Sequence, residues 1–104
     1  MIADDAVLVR RGIVELLQQR GVEVVAEVGD AVALHDAVLT HRPDVAIVDI
    51  RMPPTHTDEG VRAARRIRRE LPDIAVLLLS QYLDTALALR LIESNDRGTG
   101  YLLK

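Results

Sequence analysis

Hydrophobic residues occur along the chain in short runs separated by longer amphipathic stretches. Residues 45–48 and 74–79 are uniformly apolar, which is typical of strands buried on both faces of a parallel sheet. Residues 22–28 carry apolar side chains at the even positions and glutamates on the other face, which predicts an edge strand exposed on one side. Residues 1–3 and 101–103 are shorter strand candidates.

Apolar residues at helical spacing in the intervening stretches predict four helices. The first stripe is Val9, Ile13, Leu16 and Leu17 with Gly21 as a stop, and the third is Val61, Ala64, Ile67 and Leu71. The second helix begins after Asp30, a suitable N-cap, and ends near His41, while residues 83–92 form the fourth. This alternation of strands and helices predicts an α/β fold with a doubly wound, mostly parallel sheet.

Polar side chains directly follow four of the predicted strands: Asp4 and Asp5, then Asp49, Ser80 and Lys104. In a doubly wound sheet the carboxyl ends of the strands form one edge, where ligands bind. Three carboxylates, one hydroxyl and one ammonium are therefore expected together. The carboxylates repel one another and favour a bound cation, and their hard oxygen atoms suit Mg²⁺. A serine and a lysine beside such a metal make a site for a phosphoryl group.

Composition narrows the classes of function. The 104 residues are enough for one domain, and the net charge of −3 argues against binding nucleic acid or an anionic membrane through bulk charge. Because there is no cysteine, disulfides, zinc–thiolate sites and thiol catalysis are excluded. No apolar run approaches the roughly 20 residues of a membrane-spanning helix, and we interpret the chain as cytoplasmic, with no membrane partner. Lys104 is the only lysine among the 13 basic residues.

Four segments carry a resemblance to a known family. They are I-A-D-D at residues 2–5, R-P-D-V-A-I-V-D-I-R-M-P at 42–53, L-L-L-S at 77–80 and G-Y-L-L-K at 100–104. Together they resemble the receiver domain of bacterial two-component response regulators, specifically the LuxR/NarL-type transcription regulators, over nearly the whole chain. The resemblance implies a receiver domain at residues 1–104 with a flavodoxin-like fold of strand order 2-1-3-4-5.

The resemblance also implies a role for each acidic residue. Asp49 matches the phospho-acceptor, a carboxylate nucleophile that takes a phosphoryl group from the phosphohistidine of a sensor histidine kinase. Asp5 and Asp49 match direct Mg²⁺ ligands, and Asp4 matches a ligand that acts through water. The backbone carbonyl of Arg51 matches the remaining protein ligand.

Three further residues match the conformational switch of the family. Ser80 matches the hydroxyl that moves to the phosphoryl group, Lys104 the basic residue that pairs with it, and Tyr101 the aromatic residue that turns inward when Ser80 moves. The implied output is a shift in the surface around the fourth helix and the last strand. The resemblance thus implies a signalling domain that catalyses its own phosphorylation and dephosphorylation, not an enzyme with a separate substrate.

The chain also departs from the family. Most of the first strand and the fifth helix are missing from the matched pattern, so we expect this chain to be part of a longer protein. The resemblance implies a C-terminal helix-turn-helix output domain, through which alone DNA is contacted, and homodimerisation on phosphorylation. The loop at residues 52–59 is longer than is common in the family.

Two other functions use a similar arrangement. A phosphatase of the dehalogenase type also places a nucleophilic aspartate at a strand end, but it needs a second acid two residues later, where this chain has Arg51. A pseudo-receiver keeps the fold as a phosphorylation-independent protein-interaction module. The intact acids, serine and lysine argue against that alternative, whereas Gln81 and the long loop leave it open.

Overall fold

Strands and helices alternate along the chain as the hydrophobic pattern predicts. The computed structural model describes residues 1–53, 58–80 and 99–103, without the side chains of residues 80, 99 and 101–103. In chain order the elements are β1 (Ile2–Ala3), α1 (Val7–Gln19), β2 (Glu27–Val28), α2 (Ala31–His41), β3 (Val45–Asp49), α3 (Glu59–Glu70), β4 (Ala75–Ser80) and β5 (Thr99–Leu103). The predicted helix at residues 83–92 lies outside the described residues.

The five strands form one parallel sheet in the order β2-β1-β3-β4-β5. This order confirms the predicted doubly wound α/β architecture and the strand order 2-1-3-4-5. The register pairs Ala3 with Val48 and Asp49 with Leu79. The strand ends that carry polar residues therefore lie next to one another in β1, β3 and β4.

The hydrophobic core lies between the sheet and the helices α2 and α3. From the helices it takes Leu34, Val38, Val61, Ala64 and Ile67, and from the strands Ala3, Ala46, Val48, Val76 and Leu78. Right-handed crossovers place α1 on the opposite face of the sheet, because the chain moves from β1 to β2 in one direction and returns through α2 and α3 in the other. The core is aliphatic throughout the described residues, in keeping with a sequence that has no Phe or Trp.

Helix α2 begins and ends where the sequence predicts, and α3 buries the predicted apolar stripe. The Asp30 carboxylate accepts a hydrogen bond from the Ala33 N–H at 2.7 Å and caps α2. Helix α2 ends at His41, and the next residue, Arg42, adopts a left-handed conformation (φ 46°) before Pro43. The predicted stripe of α3 is buried at all its helical positions, and Leu71 packs against the same core.

Helix α1 buries the predicted stripe only in part: Val9, Ile13 and Leu17 are half-buried, but Leu16 is not. Val14 is its buried residue, whereas Leu16, predicted to belong to the apolar stripe, is 63% exposed. Two residues along a helix correspond to a rotation of about 200°, so the two side chains point in nearly opposite directions. Gly21 stops the helix as predicted, at φ 80°. In the described part of the chain, no helix is long and apolar enough to cross a membrane.

Two strand predictions are also corrected. The predicted strand at residues 22–28 is an edge strand, but only Glu27 and Val28 pair, because β1 offers two residues for pairing. β3 is not buried on both faces along its length: Val45 is 42% exposed and Ile47 is half-buried. The physical reason is strand alternation: Ala46 and Val48 pack in the core with α2 and α3, whereas Val45 and Ile47 lie on the opposite face of the sheet.

Candidate functional site

The three predicted acids meet at the carboxyl edge of the sheet. Carboxylate oxygens of Asp4, Asp5 and Asp49 all lie within 4.8 Å of one another, and we call these residues the acidic cluster. The pairing of Ala3 with Val48 places the following residues, Asp4 and Asp49, side by side. Asp4 is fully buried, Asp49 is 7% exposed and Asp5 is half-buried. Two buried carboxylates thus lie beside a third that faces solvent.

Short-range hydrogen bonds orient two of these carboxylates. Asp4 Oδ1 accepts from the Ala6 N–H at 2.9 Å, the local turn that aspartate favours. Asp49 Oδ1 accepts from the Arg51 N–H at 3.4 Å, a long contact. The backbone of Arg51 is thus adjacent to the cluster, where the sequence predicts its carbonyl.

The first turn of α3 rests directly on the Asp49 backbone. The Gly60 N–H donates to the Ile50 carbonyl at 2.8 Å, and a Cβ added at Gly60 would lie 1.8 Å from the Asp49 carbonyl oxygen. Only glycine allows this approach. Gly60 directly follows the long loop in the sequence. The sequence gives no sign of the close approach, because Gly60 and Asp49 lie on opposite sides of that loop.

The structure describes only the backbone of two of the remaining predicted residues, Ser80 and Tyr101. β4 ends at Ser80, one residue beyond the Leu79 that pairs with Asp49, and the Ile50 N–H donates to the Leu79 carbonyl at 3.0 Å. Tyr101 pairs with Leu78 in β5. The side chains of Ser80 and Tyr101, and the whole of Lys104, lie outside the described residues.

A basic residue that no sequence pattern singles out also reaches this edge. Arg10 of α1 donates from one guanidinium nitrogen to the Asp4 carbonyl at 2.9 Å and to the Val28 carbonyl at 3.4 Å. Its Nε lies 3.5 Å from Glu27 Oε1. The only signal in the sequence is an arginine about two helical turns after the paired acids, which is too common to be informative.

The acidic cluster fits a small, hard cation. Carboxylate oxygens are the donors that Mg²⁺ prefers, at about 2.1 Å, so two oxygens bound to one ion lie at most about 4.2 Å apart. The 4.8 Å span of the cluster is close to that limit. The three carboxylates thus form an oxygen-rich cluster of about the size that suits a small, hard cation.

Comparison with known proteins identifies the family. A family model of the response regulator receiver domain matches residues 1–104. The chain is 38% identical over 105 residues to the oxygen regulatory protein NreC of Staphylococcus epidermidis, covering 100% of this chain and 46% of that protein. The chain therefore spans about half the length of the curated relatives that it matches.

Solved structures agree with this match. A signal receiver domain described as that of NarL from Mycobacterium tuberculosis has a TM-score of 0.84 and 33% identity, covering 98% of this chain and 79% of that chain. The isolated receiver domain of RcsB from Salmonella enterica serovar Typhimurium, in the presence of the phosphomimetic BeF3⁻, has a TM-score of 0.84 and 29% identity, covering 99% and 74%. The chain belongs to the response regulator receiver domain family, of the LuxR/NarL type.

Proposed function

We propose that the chain is a phosphorylation switch in which Asp49 accepts a phosphoryl group from a sensor histidine kinase. The observation that carries this proposal is the juxtaposition of Asp4 and Asp49, two buried carboxylates at the carboxyl ends of adjacent strands. Like charges so close raise the energy of the site unless a cation lies between them. A bound cation lowers that energy and also offsets the negative charge of a phosphoryl group at the same edge.

The proposed reaction is a direct phosphoryl transfer. A carboxylate oxygen of Asp49 forms a bond to phosphorus while the phosphorus–nitrogen bond of the kinase phosphohistidine breaks. The electron pair of the broken bond stays on the imidazole nitrogen, which takes a proton from solvent. The products are an aspartyl phosphate and a neutral histidine, and attack of water on the same phosphorus returns Asp49 and inorganic phosphate.

Mg²⁺ is the cofactor that the acidic cluster would hold, through Asp5, Asp49 and the Arg51 carbonyl directly and through Asp4 by way of water. When bound, Mg²⁺ offsets the negative charge of the phosphoryl oxygens. The burial of Asp4 and the hydrogen bond to its carboxylate keep that side chain in place as the charge of the site changes.

Three residues outside the acidic cluster complete the proposed switch. The Ser80 hydroxyl donates a hydrogen bond to the phosphoryl group, Lys104 pairs with one of its oxygens, and Tyr101 turns inward as Ser80 moves. The strand order supports these roles, because β4 ends beside β3 and β5 ends beside β4 in the same parallel sheet. The phosphorylated state then favours a different surface around the last strand.

The wider setting of this switch is also a proposal. The chain works in the cytoplasm as the receiver domain of a longer regulator, whose C-terminal helix-turn-helix domain binds DNA and which forms a homodimer on phosphorylation. The lengths of the relatives support this proposal, since the chain covers 46% of NreC. Among the solved relatives, RcsB is recorded as a complex with DNA.

The test is phosphorylation of the purified chain by a small-molecule phosphodonor with Mg²⁺, followed by intact-mass measurement. We expect wild type to gain the mass of one phosphoryl group and Asp49→Asn to gain none. Asp44→Asn is the matched control, because Asp44 is an exposed aspartate directly before the opposite end of β3, and it should react like wild type. If wild type gains no phosphoryl group and shows no spectral change with beryllofluoride, the proposed switch is wrong.

A further inference from the structure

Arg10 connects the ends of two strands beside the acidic cluster. One guanidinium nitrogen donates to the carbonyl of Asp4, at the end of β1, and to the carbonyl of Val28, at the end of β2. The Arg10 side chain is only 18% exposed, so these hydrogen bonds are shielded from competing water. Arg10 is therefore part of the packed edge of the sheet and not of the solvated face of α1.

These hydrogen bonds leave the Asp4 peptide little freedom. The Asp4 N–H donates to the Val28 carbonyl at 3.0 Å, and the Asp4 carbonyl accepts from Arg10 at 2.9 Å. The Asp4 carboxylate in turn accepts from the Ala6 N–H. Because Asp5 follows directly, the bond from Arg10 to the Asp4 carbonyl holds the peptide unit that joins the two acids.

Glu27 offsets part of the charge of Arg10. It lies on β2 and pairs with Arg10 at 3.5 Å and also with Arg11, so the three side chains together carry one net positive charge. A bare guanidinium so near the acidic cluster would repel a divalent cation, and Glu27 weakens that repulsion. The contribution of Arg10 to the site therefore lies in its hydrogen bonds and not in its charge.

We propose that Arg10 is a positioning residue that holds Asp4 and Asp5 in the geometry that binds a divalent cation. This inference rests on the proposed function, since it concerns the same acidic cluster. One nitrogen of the planar guanidinium donates to both carbonyls while Nε lies beside the Glu27 carboxylate. A lysine ammonium reproduces this arrangement less well. Partners that orient metal ligands from behind set affinity in the same way in metal sites generally, where their loss weakens binding about 10–100-fold.

The experiment measures Mg²⁺ affinity by calorimetric titration of the whole chain and compares Arg10→Met with Arg11→Met. Arg11 pairs with the same Glu27 but lies 59% exposed on α1, so it is a matched control for the loss of a charge. We expect about tenfold weaker Mg²⁺ binding for Arg10→Met and an affinity like that of wild type for Arg11→Met. Faster amide hydrogen exchange at Asp5 and Ala6 in Arg10→Met is the second expected readout.

The outcomes separate this inference from the proposed function. Wild type that binds Mg²⁺ together with an Arg10→Met variant of equal or higher affinity overturns the positioning role and leaves the phosphorylation switch intact. Wild type that binds no Mg²⁺ overturns both. If Arg10→Met does not fold, Arg10→Lys decides the matter: a weaker Mg²⁺ affinity supports the positioning role, and an unchanged affinity contradicts it.

Discussion

Gly60 offers the sharpest test of how the acceptor strand and α3 fit together. In Gly60→Ala the new methyl group would lie 1.8 Å from the Asp49 carbonyl oxygen, 2.7 Å from its carbonyl carbon and 2.8 Å from Ile50 Cα. Ordinary contact begins near 3.4 Å, so the first turn of α3 must retreat by about 1.6 Å, the difference between the two distances. That retreat breaks the 2.8 Å hydrogen bond from the Gly60 N–H to the Ile50 carbonyl.

The cost follows from these changes. Overpacking of a close-packed site costs about 1–3 kcal/mol, a lost backbone hydrogen bond about 0.5–1.5 kcal/mol, and alanine in a helix returns about 0.5–1 kcal/mol. We therefore expect Gly60→Ala to lose about 1–3 kcal/mol of unfolding free energy. Urea unfolding followed by circular dichroism measures that loss. The affinity for beryllofluoride, measured by titration, tests whether Asp49 is displaced.

Gly12→Ala is the matched control for this substitution. Gly12 lies inside α1, and a Cβ added there meets no atom within 4 Å. The same change should therefore stabilise the chain by about 0.5–1 kcal/mol, because alanine restricts the unfolded chain and favours the helix. If both variants unfold at the same urea concentration, α3 does not rest on the Asp49 carbonyl and the reasoning is refuted.

Three further predictions concern stability. Asp30→Ala removes the N-cap of α2 and should cost about 1 kcal/mol in urea unfolding; an unchanged midpoint would show that the cap is not formed. Leu34→Ala empties a fully buried position and should cost about 2–5 kcal/mol, whereas Leu39→Ala, at an exposed position of the same helix, should cost far less; equal losses would contradict the assigned core. The hydrogen bond from His35 holds the pKa of Glu70 below its ordinary value of 4.5, so the carboxylate adds stability above that pH and loses it as the pH falls through the lowered pKa. Wild type should therefore be slightly more stable than Glu70→Gln at neutral pH, with a difference that vanishes under acid conditions; urea midpoints that differ equally at both pH values would refute this coupling.

The sequence predicts the strands best where their own composition decides the structure. Residues 45–48 and 74–79 are apolar runs, and both form strands at the centre of the sheet. Residues 22–28 have a clear alternation, but a strand exists only where a neighbour pairs with it, and β1 pairs with two residues. The burial of Leu16 is predicted wrongly for a similar reason, since an apolar side chain at the edge of a stripe is buried only where a neighbour packs over it, and in α1 the buried residue is Val14.

The acidic cluster forms only in one register of β1 against β3. Its contacts with Arg10 and Gly60 join it to other segments of the chain. Strand ends can be read from a sequence, which is why Asp4, Asp5 and Asp49 were predicted to meet. Register cannot, and a shift of one residue between β1 and β3 would turn one set of side chains to the opposite face of the sheet. The pairing of Ala3 with Val48 is thus what makes two strand ends into one site. Arg10 and Gly60 contact that site from α1 and α3. Arg10 joins the Asp4 carbonyl to the Val28 carbonyl of β2, and Gly60 allows α3 to pack against the Asp49 backbone. Neither supplies a reacting group, so chemistry-based motifs do not include them, although both contact the backbone of the acidic cluster.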